Sequence, residues 1–212
     1  MDSYNLIQKI AIYALPVLLA ITLHEAAHAF MARRFGDNTA YMMGRMTLNP
    51  LKHIDPVGTV LLPLLGLVIG GVLFGWAKPV PVNFGALKNR RVGTRWVAAA
   101  GPLANLGMAV MWALLFKLAV GVDGYFSEPL ALMSQVGIQI NIVLMVLNLL
   151  PILPLDGGRI FESLLPPGMA WKYARLEPYG LWILLALVFS GLLSPILRPF
   201  INLMYSLLGV LL

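Results

Sequence analysis

The chain has 212 residues, of which 59% are hydrophobic and 11% charged, and its mean hydropathy is +0.83. Soluble domains carry about a quarter charged residues, so composition excludes an ordinary soluble domain and marks an integral membrane protein. The net charge of +6 sits in short segments between apolar runs, as the positive-inside rule expects, and not in a basic stripe interleaved with aromatics. That excludes a nucleic-acid partner, and the lack of cysteine excludes disulfides, thiolate metal sites and cysteine nucleophiles.

Met1 to Lys9 lacks a basic n-region, and no small-residue cleavage site follows the apolar run, so it reads as the start of a retained helix. The first spanning helix is expected from about Ile7 to Arg33, with Pro16 as a possible kink and Arg33-Arg34 as its basic end. Phe35 to Pro56 is polar and turn-rich. Within it, Tyr41 to Leu48 is expected to form a short strand or hairpin, with Gly44 as bulge or turn. Val57 to Trp76 is apolar but broken by Pro63, Gly66 and Gly70-Gly71, and reads as a span or a re-entrant hairpin. Further helices are expected over Trp96 to about Val120, Leu130 to Leu150, and Pro178 to Leu193. Pro199 to Leu212 reads as a last tilted or interfacial helix.

Charge bears on the ambiguous segment. Arg33, Arg34, Arg45 and Lys52 precede it, and Lys78, Lys88, Arg90, Arg91 and Arg95 follow it. A re-entrant hairpin puts all nine cations on one side, as the positive-inside rule favours. The expected architecture is therefore an all-α polytopic membrane protein of about five to six transmembrane helices. A small membrane-associated β-hairpin or re-entrant region follows the first helix. The N-terminus lies outside, and the basic side is cytoplasmic. One domain is expected over 1–212, with a core at about 7–160 and C-terminal helices at about 171–212.

His24-Glu25-Ala26-Ala27-His28 is an HExxH motif. On a helix, positions i and i+4 share a face, so both imidazoles can hold one metal ion, with Glu25 beside it as a general base. The alternative is helix packing. Against it, a carboxylate in a membrane helix costs a few kcal/mol, about 2.5–3.5 on the lenient insertion scale, and a divalent cation compensates such groups. A catalytic zinc takes three protein ligands and keeps one position open. With no cysteine, the best third donor is Asp156 in "NLLPILPLDGGR", where Pro151 and Pro154 break a helix and Gly157-Gly158 allow close backbone approach. Asp156 could instead cap the helix that follows. His53, the remaining histidine, lies in the polar loop.

Taken together, HExxH in a first core helix, "AGPLAN" opening the next and "NLLPILPLDGG" closing a third resemble the site-2 protease family of intramembrane zinc metalloproteases. "GRMTLNPLKHIDPVGT" and "FGWAKPVPVN" are similar to its compact branch without a PDZ domain. The resemblance implies one Zn2+ per chain on His24, His28 and Asp156, with Glu25 as base. It also implies substrate-proximal roles for Asn105 and Asn148, whose amides could bond the scissile carbonyl or oxyanion. Interhelix bonding for Asn105, and capping of backbone freed by Pro151 for Asn148, stand as equal alternatives. His53 is a candidate for oxyanion stabilisation or gating. The implied reaction is hydrolysis of peptide bonds within or near transmembrane segments of membrane-protein substrates, in a prokaryotic inner or plasma membrane. The substrate would be held extended on an edge strand at Tyr41 to Leu48 and gated by Pro79-Val80-Pro81. The competing readings are a metal transporter, or a metal-binding scaffold without protease activity. Substrate and lipid are the expected partners, and the sequence leaves the oligomeric state open.

Overall fold

A computed structural model describes residues 5–61, 78–122 and 124–209. Among these residues the chain is helical, and no strand is formed. Helix α1 (Leu6–Arg34) starts at a reciprocal cap. The Asn5 side chain accepts from the Gln8 N–H, and the Gln8 side chain accepts from the Asn5 N–H, both at 2.9 Å. It runs through Pro16 without interruption. A single turn, α2 (Thr39–Met42), follows, then a 3-10 turn at Pro50–Lys52 and a π-helical turn at Pro56–Leu61. The long helices α3 (Arg90–Gly121) and α4 (Ser127–Asn148) come next, then the shorter α5 (Asp156–Leu164), α6 (Pro167–Ala174), α7 (Gly180–Phe189) and α8 (Leu193–Gly209).

Two expectations are corrected here. Among the described residues three helices are long and apolar enough to cross a membrane, Ile10–Arg34 within α1, then α3 and α4. They become four only if α6 to α8, bent by 87°, are taken as one broken span. Among the described residues five to six spans are not formed, because the apolar run after Pro178 folds as a ten-residue helix. At 1.5 Å per residue, that is about half the thickness of a bilayer core.

The hairpin expected at Tyr41 to Leu48 is also absent. Gly44, at φ 63°, ends a helical turn instead: its N–H bonds Tyr41 O at 3.0 Å and the Arg45 N–H bonds Ala40 O at 2.8 Å. That is the Schellman helix stop, which needs a glycine for its left-handed residue. Gly36 (φ 102°) ends α1 in the same way, with Gly36 N–H on Arg33 O and Asp37 N–H on Ala32 O. Of the Val57 to Trp76 segment, residues 62–76 lie outside the described ones.

The core is the packing of α3 along α4, with α1 across both. Met108, Ala109, Trp112 and Ala113 of α3 meet Ile138, Ile142, Met145 and Val146 of α4, and Leu197 and Leu208 of α8 close the cluster. Gly137 makes the close crossing possible: a Cβ there would lie 2.3 Å from the Trp112 ring. Small residues at helix contacts replace the hydrophobic drive that lipid removes. Leu114 and Leu118 of α3 point outward and exposed, as a lipid-facing surface requires.

Candidate metal and catalytic site

The HExxH turn lies in the second half of α1, facing α3. His24 and His28 are buried, each 8% exposed. The Nδ1 of His24 lies 2.6 Å from Asn105 Oδ1, and the Nδ1 of His28 lies 2.7 Å from Val97 O. Both partners can only accept, so each Nδ1 carries a proton, and the neutral imidazole then presents its Nε2 lone pair. The Asn105 amide is itself oriented, since its Nδ2 donates to Asn141 Oδ1 at 2.8 Å and faces Ala20 O at 3.3 Å. Asn141 is fixed in turn by a bond from its Nδ2 to Gly137 O. A buried relay through α4 and α3 thus sets the tautomer and ring plane of His24.

Asp156 opens α5 after the proline-broken turn at 149–155. A Cβ at Gly157 would lie 2.1 Å from Leu149 O, and one at Gly158 would lie 2.6 Å from the Leu153 nitrogen. Only glycines let this helix start so close to the end of α4, and that approach delivers the carboxylate to the histidines. Asp156 Oδ2 lies 3.3 Å from each Nε2, and the two Nε2 atoms lie 3.0 Å apart. Oδ2 is buried with no hydrogen-bond partner. With both rings neutral, three lone-pair donors meet at one point, an arrangement that a cation between them compensates. Donors about 2.0–2.1 Å from a tetrahedral zinc stand about 3.3 Å apart, so the observed separations fit that ion. Among the described residues this is the one group of three His, Asp or Glu donors able to hold a metal.

The other predicted residues fall as follows. Glu25 lies off the metal group, and its Oε2 accepts from the Val80 N–H at 2.7 Å. Asn105 is fully buried, and its oxygen is engaged by His24. Asn148, half-buried at the end of α4, uses Nδ2 on Leu144 O at 3.0 Å. His53 stays outside the group. It is 1% exposed, its Nε2 lies 2.9 Å from Thr47 O, and its own carbonyl accepts from the Lys78 N–H. Four participants were not singled out as site residues from the sequence: Val97 through its carbonyl, Val80 through its N–H, Asn141, and Gly101 as a contact residue. A Cβ at Gly101 would lie 2.3 Å from His28 Nε2. The two backbone groups have no side-chain signal, but Gly101 opens "GPLAN" and Asn141 is a polar residue inside an apolar span.

An apolar cavity of about 570 Å³ lies between α1, the loop after α2, and α3. Leu23, Ala27 and Phe30 of α1, Met46 of the loop, and Ala104 and Met108 of α3 line it.

The family model for peptidase family M50 matches residues 124–189, which include Asp156 but not HExxH. The chain is 43% identical over 190 residues to "Putative zinc metalloprotease YwhC" of Bacillus subtilis, covering 88% of this chain and 84% of the relative. It is 32% identical over 212 residues to "Putative zinc metalloprotease Rip2" of Mycolicibacterium smegmatis, covering 96% of this chain and 76% of the relative. The Rip2 protein of Mycobacterium tuberculosis is 31% identical over 182 residues, covering 84% of this chain and 66% of the relative. No solved structure matches the chain.

Proposed function

The chain belongs to peptidase family M50, the site-2 protease family of intramembrane zinc metalloproteases, and we propose that His24, His28 and Asp156 hold its zinc while Glu25 is its base. The observation that supports this most is the meeting of His24 Nε2, His28 Nε2 and Asp156 Oδ2 within 3.3 Å of one another, with the buried Oδ2 left without a hydrogen-bond partner.

Bound zinc supplies Lewis acidity, polarising a carbonyl and bringing the pKa of water down to about 7. The chain's own residues supply the rest. Glu25 has Oε2 held by the Val80 N–H, which leaves Oε1 to take the proton of the attacking water and pass it to the leaving amine nitrogen. Asn105 acts through His24, since its oxygen is the acceptor that keeps Nδ1 protonated and Nε2 available. Asn148 is the better candidate for substrate contact, because one amide proton goes to Leu144 O and a second remains, with Oδ1. His53 serves as a loop anchor between Thr47 and Lys78.

The substrate we propose is a single-span membrane protein cut in or near its apolar segment. The cavity between α1 and α3 is lined by apolar side chains, which suits such a segment and not a soluble peptide. The active site is proposed to open to the cytoplasmic side. Lys88 N–H bonds Phe35 O at 2.9 Å, so the end of α1 and the approach to α3 lie together. Arg33, Arg34, Arg90 and Arg91 thereby gather at one face, as the positive-inside rule requires of the inner side. The 212 residues act as one protease unit. A transporter would string ligands along a path, whereas these meet at one point.

The test of the base is Glu25→Gln, purified with its zinc and assayed on a single-span reporter. Cleavage is expected to fall below detection, and a variant cutting at the wild-type rate would remove Glu25 from the chemistry.

A further inference from the structure

Two buried charges lie outside the metal group and have no role in the hydrolysis so far described: Asp37, 2% exposed, and Arg45, 9% exposed. They occupy equivalent places. Each follows a left-handed glycine that stops a helix, and each closes that stop with its own N–H, on Ala32 O and Ala40 O respectively. Both side chains therefore leave from a fixed backbone, and both reach the same neighbour, residues 78–83.

Arg45 Nη2 donates to Lys78 O at 2.9 Å and to Pro79 O at 3.4 Å. Asp37 Oδ2 accepts from the Asn83 N–H at 2.7 Å. Its Oδ1 accepts from the Thr39 N–H and hydroxyl, at 2.9 and 2.5 Å. Between these two anchors lies Val80. Its side chain is buried against Ala29, Ala40 and Met46, and its N–H donates to Glu25 Oε2. Pro79 and Pro81 have no N–H and fixed φ, so Val80 carries the one backbone donor of this tripeptide.

A buried charge is costly even when bonded, and a loop needs no ionic anchors merely to close. Here the anchors bracket the peptide whose N–H bonds the base. We propose that Asp37 and Arg45 are positioning residues for Glu25: they clamp residues 78–83 at both ends so that the Val80 N–H fixes one oxygen of Glu25 and frees the other for the proton. The proposal rests on the reading of Glu25 as the base. Neither residue touches a zinc donor, so releasing the clamp leaves metal binding intact and slows the chemical step.

The test uses the full chain in detergent, with zinc content, kcat and KM on a single-span reporter. The variants are Arg45→Met, Arg45→Lys, Asp37→Asn, Val80→Pro, the Arg45→Met/Val80→Pro double, and Glu25→Gln. Losing a hydrogen bond to a charged group corresponds to about a tenfold loss. Arg45→Met and Asp37→Asn are expected to lower kcat about tenfold while KM and zinc per chain stay within about twofold. Arg45→Lys regains part of the loss. On top of Val80→Pro, which deletes the N–H, Arg45→Met adds less than about twofold, since both act through one bond. A wild-type kcat in zinc-loaded Arg45→Met and Asp37→Asn, a full additional loss in the double variant, or activity that merely tracks lost zinc would each overturn the clamp. If Arg45→Met does not fold, Arg45→Lys and Asp37→Asn enter the same cycle with Val80→Pro and are judged by the same outcomes. Glu25→Gln separates the two ideas. An active Glu25→Gln sinks the base reading, whereas an inactive one beside unimpaired Arg45 and Asp37 variants sinks the clamp alone.

Discussion

Replacing Gly101 by alanine tests whether α1 and α3 are held together around the donor atoms. A Cβ at this position would lie 2.3 Å from His28 Nε2, 2.5 Å from His24 Cε1 and 2.7 Å from His24 Nε2. Non-bonded carbons rest at about 3.5–4 Å, so the helices must separate by about 1 Å or both rings must swing away. Either motion breaks the bonds that orient the imidazoles, because their acceptors, Val97 O and Asn105 Oδ1, both belong to α3. Overpacking of this kind costs about 1–3 kcal/mol of stability. Loss of the outer partners of a metal-bound histidine costs about 10–100-fold in affinity or activity. Zinc affinity by competition with a chromophoric chelator should therefore drop by at least about tenfold, and reporter cleavage with it. A Gly101→Ala protein that binds zinc and cleaves like the wild type would refute the helix-contact geometry described above.

Asn105→Ala should weaken zinc by about 10–100-fold, and Asn105→Asp, which keeps an acceptor for His24 Nδ1, should recover much of it in the same titration. Gly107→Leu should leave the thermal midpoint nearly unchanged, because a Cβ there meets nothing within 4 Å. It should slow cleavage by occupying the cavity that Gly107 lines, as a panel of single-span substrates would report. Burial works to raise the carboxyl of Asp37, but bonds from the Thr39 hydroxyl and N–H and the Asn83 N–H outweigh it and hold the group below the ordinary range. A depressed carboxyl contributes stability above its unfolded pKa of about 3.9 and loses it as pH falls through the lower folded value. The gap in melting temperature between wild type and Asp37→Asn should thus be full at pH 6 and shrink below about pH 4. A gap that widens on acidification would contradict the hydrogen bonding of Asp37.

The donor set could be read from the sequence because its signals are local. HExxH fixes two side chains on one helical face, and the Pro-flanked "LPLDGG" marks a broken helix whose glycines permit contact. Apolar length located α1, α3 and α4, but α3 was expected from Trp96 and starts at Arg90, because the polar turn capped by Asn89 adds no apolar signal. What failed depended on choices that composition leaves degenerate. Gly44 serves a strand bulge or a helix stop equally well, and the bond of Arg45 N–H to Ala40 O decides for the stop. The apolar residues after Pro178 are hydrophobic enough to span, yet Gly191 at φ 73° turns the chain after ten residues of helix. The amide of Asn105 was equally suited to substrate or to helix pairing. Only the fold shows its oxygen against His24 and its nitrogen against Asn141. The anchors Asp37 and Arg45 lie 46 and 33 residues from the farthest groups they bind at 2.7–2.9 Å, so no local pattern announces them.

The central claim is that His24, His28 and Asp156 share one zinc that the cleavage reaction needs. One preparation each of wild type, His28→Ala and Asp156→Asn, measured for zinc per chain and for cleavage of a single-span reporter, tests it most directly. Wild type should hold one zinc per chain, lose cleavage with a chelator and regain it on zinc return, and both variants should lose metal and cleavage together. A variant that keeps stoichiometric zinc and still cleaves would contradict the assignment.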